Sequence, residues 1–421
     1  MADRGVSFGT ESPRSLSVGR VNATTRPMAE AYIVGAVRSP LGKKSTARVP
    51  GAFAHVRADE LLAAVLRALV HRTAVDAAAI EDVLAGCVTQ VGEQGFNIGR
   101  IAALAAGFPE SVCGITLNRM CGSSQQAVNF AAMAVKSGEH DVLVACGVES
   151  MNRVPMNSDG MVGENPWPPG PPSLLERYGG FVIQGESAER ICDRWSLSRE
   201  DCDAYSARSH QRAAHARASG WFEREIVHVV APDAGGAPRT VSRDEGIRPG
   251  TNVDVLDLLP SSFRPDGRIT PGSSSQIADG AAALLVASEA AVARHRLTRR
   301  ARVVATAVAG ADPILGLTAT IPVTQNVLAK ARLSLDAIDV FEVNEAFASV
   351  VLAWQHETRA DGSKVNPNGG AIALGHPLGA SGARLITSCL HELERTGGRY
   401  GLVTMCIGFG QATATIIERV G

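Results

Sequence analysis

Aromatic side chains are scarce in this chain, at 5 % of 421 residues. A core without many large rings must close by bringing backbones together. The 43 glycines and abundant alanine suit that, because small residues let helices lie tight on sheets. An excess of either charge is also lacking. Lys and Arg number 41 against 42 Asp and Glu, a formal net charge of -1. No electrostatic footprint therefore points to nucleic acid or an acidic membrane surface. No apolar run reaches the roughly 18 residues that begin to span a bilayer. There is no Gly-x-Gly-x-x-Gly fingerprint, no phosphate-cradling loop of the Walker type, and no His/Cys/Asp cluster at metal-ligand spacing. NAD, ATP and metal chemistry are thus not indicated.

Eight cysteines are present: Cys87, Cys113, Cys121, Cys146, Cys192, Cys202, Cys389 and Cys406. They form neither CxxC pairs nor a regular framework, which suits a reducing compartment. Cys87, Cys113 and Cys146 fall in apolar strand-like runs and read as small buried hydrophobes.

What the chain does have is alternation. Residues 32–37 read as a buried strand and residues 59–70 as a helix, with Leu61, Leu62, Val65, Leu66 and Leu69 at helical spacing. Residues 83–88 follow as a strand and 97–106 as a helix. Such alternation is the mark of an α/β fold with a parallel sheet and crossover helices. At 45 % hydrophobic residues, the chain can bury a core of two or three domains. It also repeats itself. Helix, Asp-bearing turn and buried strand occur around residues 75–84 and again around 333–341. A reactive residue at a Gly-rich bend follows each, which suggests two similar halves with a site where they meet. Residues 1–29, rich in Ser, Thr and Arg, read as a disordered extension. Asp3 and Glu11 speak against a transit peptide, Met28 offers an alternative start, and the terminal Arg419-Val420-Gly421 is no Ser-Lys-Leu-type address. Residues 151–272 differ again, with a Pro-rich stretch at 165–172 and a polar helical run at 199–219. With Trp195, Trp221, Phe222 and Phe263, this segment reads as a lid or substrate-binding subdomain.

Four residues carry candidate chemistry. Cys121 stands where a β-like run turns through Asn118-Arg119-Met120 into an Ala-rich helix. A helix N-terminus favours a thiolate, the nucleophilic form. His376 lies in Gly375-His376-Pro377-Leu378-Gly379, and Cys406 in Cys406-Ile407-Gly408-Phe409-Gly410. A nucleophile, a base and a second thiol suit covalent acyl chemistry with a separate proton shuttle. The Gly-Phe-Gly stretch exposes backbone N–H groups fit for an oxyanion hole. Each has an ordinary reading as well: structural cysteine for Cys121, loop histidine for His376, core residue for Cys406 and helix N-cap for Asn344.

Together these stretches resemble the thiolase family. The matching residues are Asn118 to Ala127 around Cys121, Val343-Asn344-Glu345-Ala346-Phe347, Asn368 to Ala383 around His376, and Cys406 to Gln411. The resemblance runs in order over roughly residues 31–419. Cys121-Gly122-Ser123-Ser124-Gln125-Gln126 and Gln184 to Glu189 lean toward bacterial degradative 3-ketoacyl-CoA thiolases.

The resemblance implies an α/β fold of two similar βαβ halves stacked as α-β-α-β-α layers, with an inserted loop subdomain. One half comprises residues 30–150 and 273–295, the other 296–421, and the CoA-binding insertion 151–272. It implies that Cys121 holds the acyl group as a thioester and that His376 takes its proton. Asn344 then positions a water beside His376 in one oxyanion hole, and Cys406 moves the α-proton of acetyl-CoA. The N–H groups of Cys121 and Gly408 form a second oxyanion hole. Arg248 is expected at the CoA nucleotide and Ser275 at the pantetheine amide, against readings as a solvated arginine and a helix cap. No permanently bound cofactor is expected; coenzyme A and acetyl-CoA are substrates. A homodimer or homotetramer in a bacterial-type cytoplasm is expected, serving β-oxidation and fatty-acid metabolism, with no nucleic-acid or membrane partner.

Two departures bear on acyl specificity: Phe409 where a glycine is usual, and Gln184 where many relatives have Met. Competing readings are a biosynthetic acetyl-CoA acetyltransferase, a ketoacyl synthase (which uses a pair of His, or His and Asn, rather than a second Cys) and a non-catalytic acyl-CoA-binding scaffold.

Overall fold

The computed structural model describes residues 29–161, 170–180, 182–233 and 235–421. The expected extension, apart from Ala29, and most of the Pro-rich stretch lie outside the described residues. The first half runs β1 (Ala31–Arg38), β2 (Gly42–Lys43), α1 (Ala58–Thr73), β3 (Asp82–Gly86), α2 (Ile98–Ala105), β4 (Cys113–Leu117), α3 (Ser123–Ser137) and β5 (Val142–Ser150). A long insertion follows: α4 (Pro172–Tyr178), α5 (Gln184–Trp195), α6 (Arg199–Ala218), β6 (Val229–Pro232), β7 (Pro238–Val241) and α7 (Val253–Asp257). The chain then returns through β8 (Ala278–Ser288) and α8 (Glu289–His295). The second half runs β9 (Ala301–Gly310), α9 (Thr320–Ala331), β10 (Val340–Val343), α10 (Ala348–Thr358), α11 (Ala371–Leu374), α12 (Ser381–Thr396), β11 (Tyr400–Ile407) and β12 (Gln411–Arg419).

α1 illustrates why these elements form. Leu61, Leu62, Val65, Leu66 and Leu69 make one fully buried stripe, Asp59 and Glu60 sit in the first turn, and His71 and Arg72 in the last. Those charges complement the helix dipole.

The two halves repeat strand for strand. In each, a helix passes through a short 3₁₀ turn (Ala77–Ala79, Leu335–Ala337) into a buried strand, β3 or β10. β3 pairs in parallel with β5 as β10 does with β11, while β5–β8 and β11–β12 are antiparallel. β1 lies antiparallel to β8 as β9 does to β12. The halves join where Tyr32 and Ile33 of β1 face Arg302 and Ala301 of β9. The sheet is therefore mixed, not parallel as the alternation suggested. βα alternation identifies crossovers but is blind to strands that return antiparallel: β8 comes back after the insertion, and β12 through a hairpin at residues 408–410.

Helices α3 and α12 lie side by side between the two sheet halves, with α1 and α2 on one outer face and α9 and α10 on the other. That is the five-layer order α-β-α-β-α. The central layer explains the small residues. A Cβ on Gly382 of α12 would stand 2.3 Å from the backbone nitrogen of Gln125 on α3, so only glycine admits this crossing. The insertion is clamped to the second half. Tyr205 and Ser209 of α6 donate to the Glu345 carboxylate (2.8 and 2.7 Å), and Trp195 of α5 donates to Glu357 (2.7 Å).

Of the strand cysteines, Cys87 and Cys146 are buried as expected, but Cys113 is exposed. It sits on the edge strand β4, whose outer side has no neighbour among the described strands. The thiols of Cys192 and Cys202 face each other at 3.9 Å, a pairing that their spacing did not signal. No helix among the described residues is long and apolar enough to cross a membrane.

Candidate active site

Cys121 sits in a tight turn between β4 and α3. The residue before it, Met120, adopts φ 46°, a left-handed conformation unusual for a side chain of its kind. Local bonds hold it there. Asn118 Oδ1 accepts from the Met120 N–H (2.7 Å), and Ser123 Oγ accepts from the Arg119 N–H (2.9 Å) while donating to the Met120 carbonyl (2.5 Å). Gly122 then starts the helix, and a Cβ there would lie 2.5 Å from Ile407 Cδ1. The missing side chain lets the Cys121 turn rest against the Cys406-Ile407-Gly408 segment.

The Cys121 thiol is buried, 5 % exposed. Burial pushes its pKa up to about 11, with Glu149 adding to the rise. The N–H of Cys121 itself, the side chain of Gln184 and the N–H of Gly408 pull the other way. The N–H groups at the helix start do pull toward the thiolate, as expected. The donors are present, but desolvation outweighs them, and the resting group is a thiol.

His376 stands in the loop between α11 and α12. Its backbone N–H donates to the Gln276 carbonyl (2.9 Å). Ser381 Oγ donates to the Pro377 carbonyl (2.8 Å) and lies 2.6 Å from Nδ1, so it accepts from Nδ1–H. That assignment leaves Nε2 as the free base, 3.5 Å from the Asn344 side-chain nitrogen. Burial, aided by the nearby Arg384 charge, lowers the imidazole pKa to about 3, so it is neutral at rest.

Asn344 and Cys406 come from adjacent parallel strands. The Asn344 N–H donates to the Thr404 carbonyl (3.0 Å), and its side chain reaches the Cys406 thiol. Cys406 is 1 % exposed, and its pKa is driven up by burial and by Cys121, whose sulfur is close enough to oppose a second negative charge. Asn344 is not a helix cap: α10 starts after Phe347. Its Oδ1 is buried with no hydrogen-bond partner among the described residues, an acceptor left open at the centre of the site. A Cβ on Gly408 would meet Met120 Sδ at 2.8 Å and Gln184 Nε2 at 3.3 Å, so glycine keeps this gap open. Phe409, half-buried with φ 62°, forms the hairpin turn. Cys121, Asn344, His376, Cys406 and Gly408 therefore converge from four separate segments.

Arg248 and Ser275 both lie beside Gln276. Arg248 is exposed, and its guanidinium donates to Gln276 Oε1 (3.2 Å). Ser275 precedes Gln276 and leads into β8, so it caps no helix; its N–H donates to the Ala346 carbonyl (2.9 Å). Both thus flank the residue whose carbonyl holds His376.

Motif reading missed Glu149, at the end of β5. Its buried carboxylate accepts from the N–H groups of Val88, Thr89 and Gly379 and from Gln94 Nε2, each at 2.9–3.0 Å. It ties the His376 loop to the first half. A lone acid closing the apolar run Val142–Ser150 was the available signal. Gln184, read in the sequence for family likeness and acyl specificity, has its side chain close to the Cys121 sulfur.

The comparisons agree on one family. The family description "Thiolase, N-terminal domain" matches residues 31–290, and "Thiolase, C-terminal domain" matches residues 297–419. A steroid 3-ketoacyl-CoA thiolase of Mycobacterium tuberculosis is 48 % identical over 398 residues, covering 93 % of this chain and 95 % of its own. A beta-ketoadipyl-CoA thiolase of Acinetobacter baylyi is 44 % identical over 407 residues, covering 93 % and 100 %. Among solved structures, the Bacillus anthracis acetyl-CoA acetyltransferase superposes with a TM-score of 0.85 at 35 % identity, covering 94 % of this chain and 100 % of that one. Human mitochondrial 3-ketoacyl-CoA thiolase gives 0.84 at 33 %, with the same coverage.

Proposed function

The chain belongs to the thiolase family, and from that premise we propose that it cleaves 3-ketoacyl-CoA with free CoA through an acyl-enzyme on Cys121. It is an acyltransferase that uses CoA as a substrate, with no permanently bound cofactor. Cys121 attacks C3 of the substrate as its proton passes to Nε2 of His376. The C2–C3 bond breaks, leaving a thioester on Cys121 and the enolate of acetyl-CoA. The Cys406 thiol protonates C2 and completes acetyl-CoA. Free CoA then gives its thiol proton to the Cys406 thiolate and attacks the thioester. The shortened acyl-CoA leaves, and Cys121 recovers its proton from His376.

The oxyanions formed on the way need fixed donors. The N–H groups of Cys121 and Gly408 serve one. Protonated His376, with a water positioned by Asn344, serves the other. Arg248 holds the CoA nucleotide and Ser275 the pantetheine amide. The carrying observation is that two sulfurs and one buried imidazole, far apart in the chain, meet with a neutral base facing inward. A neutral second thiol suits an acid that must hold its proton until the enolate forms. The same site can run in reverse and join two acetyl-CoA units. The similarity to a steroid 3-ketoacyl-CoA thiolase and a beta-ketoadipyl-CoA thiolase supports acyl groups larger than acetoacetyl, shortened in β-oxidation or a similar sequence. The need for two reduced thiols supports a cytoplasmic setting.

We also propose a homodimer, the pair itself or half of a tetramer, formed through the first half. Its edge strand β4 exposes Ile115, the neighbouring α2 exposes Ile101 and Leu104, and α3 exposes Phe130 and Met133.

The test is direct. With the protein and CoA, acetoacetyl-CoA is expected to lose its enolate absorbance, and Cys121→Ala is expected to abolish that loss. A substrate panel extended to ring-bearing 3-ketoacyl-CoA ranks the acyl groups. No turnover by the unaltered protein on any member would overturn the enzyme in favour of an acyl-CoA-binding scaffold.

A further inference from the structure

Gln184 opens helix α5 and is exposed to solvent, yet its side chain reaches the buried sulfur of Cys121. Its orientation follows from a second contact. The amide nitrogen Nε2, the donor end, stands 3.3 Å from where a Cβ on Gly408 would be. The donor is therefore turned toward the gap between Cys121 and Gly408. The backbone behind it is held firmly. A Cβ on Gly185 would lie 2.2–2.3 Å from the Phe263 ring, so that ring sits directly on the first turn of α5. Phe263 in turn meets Phe347 edge-on at 5.9 Å. Arg264 grips Glu186 on the same turn (2.6 and 2.7 Å), and Ser187 Oγ donates to the Ile314 carbonyl (3.2 Å).

We propose that Gln184 is a further catalytic residue: its side-chain amide donates a hydrogen bond to the Cys121 sulfur as the thiolate forms, a third donor beside the N–H groups of Cys121 and Gly408. This rests on the reading of Cys121 as nucleophile. The chemistry calls for such a donor, because the sulfur must become anionic in a site that burial makes hostile to charge. Once the thioester has formed, its sulfur is a poor acceptor. The amide is then free to serve the carbonyl oxygen in the same gap. Because Gln184 is exposed, replacing it does not endanger the fold.

The experiment measures the rate of Cys121 alkylation by iodoacetamide against pH in the full chain, with the site read by peptide mass spectrometry. Gln184→Met keeps the length and loses the donor. It is expected to move the pH midpoint up by about one unit and slow labelling near neutral pH about tenfold. Gln184→Glu, which sets a carboxylate beside the thiolate, is expected to slow it further, and kcat for acetoacetyl-CoA cleavage to fall in the same order. A Gln184→Met variant that keeps the wild-type pH midpoint overturns the proposal and leaves the Cys121 reading intact. A wild-type protein that stays active with Cys121 fully alkylated overturns both.

Discussion

With the Cys121 thiol near pKa 11 and the His376 imidazole near 3, the resting site holds two neutral groups rather than an ion pair. Burial keeps the thiolate scarce at neutral pH. In the proposed reaction, proton transfer to Nε2 therefore accompanies carbon–sulfur bond formation rather than preceding it. Cys406 has the complementary role. Its pKa lies above that of an ordinary thiol because of burial and the Cys121 sulfur, so it keeps its proton until an enolate needs it. Removing that sulfur separates the two half-reactions. Cys406→Ala is expected still to form the acyl-enzyme from acyl-CoA, seen as a mass increase on Cys121, but more slowly, because the departing CoA thiolate must then take its proton from water. The same variant is expected to lose exchange of the acetyl-CoA α-proton in D₂O, followed by NMR. Normal exchange would take Cys406 out of its assigned role.

At the scale of elements, the site depends on loops from both halves being tied together, and Glu149 makes the tie. Each of its oxygens accepts two N–H donors, one set including Gly379 of the His376 loop. Glutamine matches its shape but presents one NH₂ end. Whichever way that amide turns, a pair of buried donors faces another donor. Leaving them unpaired is expected to cost Glu149→Gln about 2–5 kcal/mol in urea unfolding, with a matching fall in kcat as the His376 loop loosens. Stability within about 0.5 kcal/mol of wild type would show that the tie is dispensable. This element also marks what was legible in advance. The strand and helix cores, the internal repeat, Cys121, His376 and Cys406 were all visible, because periodicity and Gly-rich bends are local. Glu149 was not, since its partners come from two segments, residues 88–94 and the His376 loop, brought to it only by folding. The thiol's protonation state was not either, because it depends on burial against Ile407 and on Glu149, neither of which is near in sequence. The antiparallel returns of β8 and β12 escaped for the same reason.

For the whole molecule, the distribution of exposed apolar surface is uneven. The second half ends its sheet at β10, whose Phe341 meets Val365 beyond the edge, while the first half ends at β4 with no described strand beyond it. An uncovered strand edge invites pairing with another chain, and a second copy of the same edge is the simplest partner with matching register. Ile115 on β4 is 49 % exposed, and Phe130 and Met133 on α3 are 43 % and 48 %. Leaving that much apolar side chain in water beside an open edge is unfavourable for a lone chain. Joining first halves would bring two copies of the Cys121 turn near one interface, since β4 leads into that turn and α3 leaves it. Light scattering at micromolar concentration is therefore expected to give a dimer or a multiple of it. Ile115→Lys combined with Met133→Lys is expected to shift it toward monomer by setting like charges where the edges meet. Because both positions are exposed in the single chain, the doubly substituted protein keeps its own core, and its circular dichroism is expected to match wild type. If it remains the same size as wild type, the chains associate elsewhere. If it becomes monomeric with unchanged kcat, the Cys121 turn needs no support from a partner.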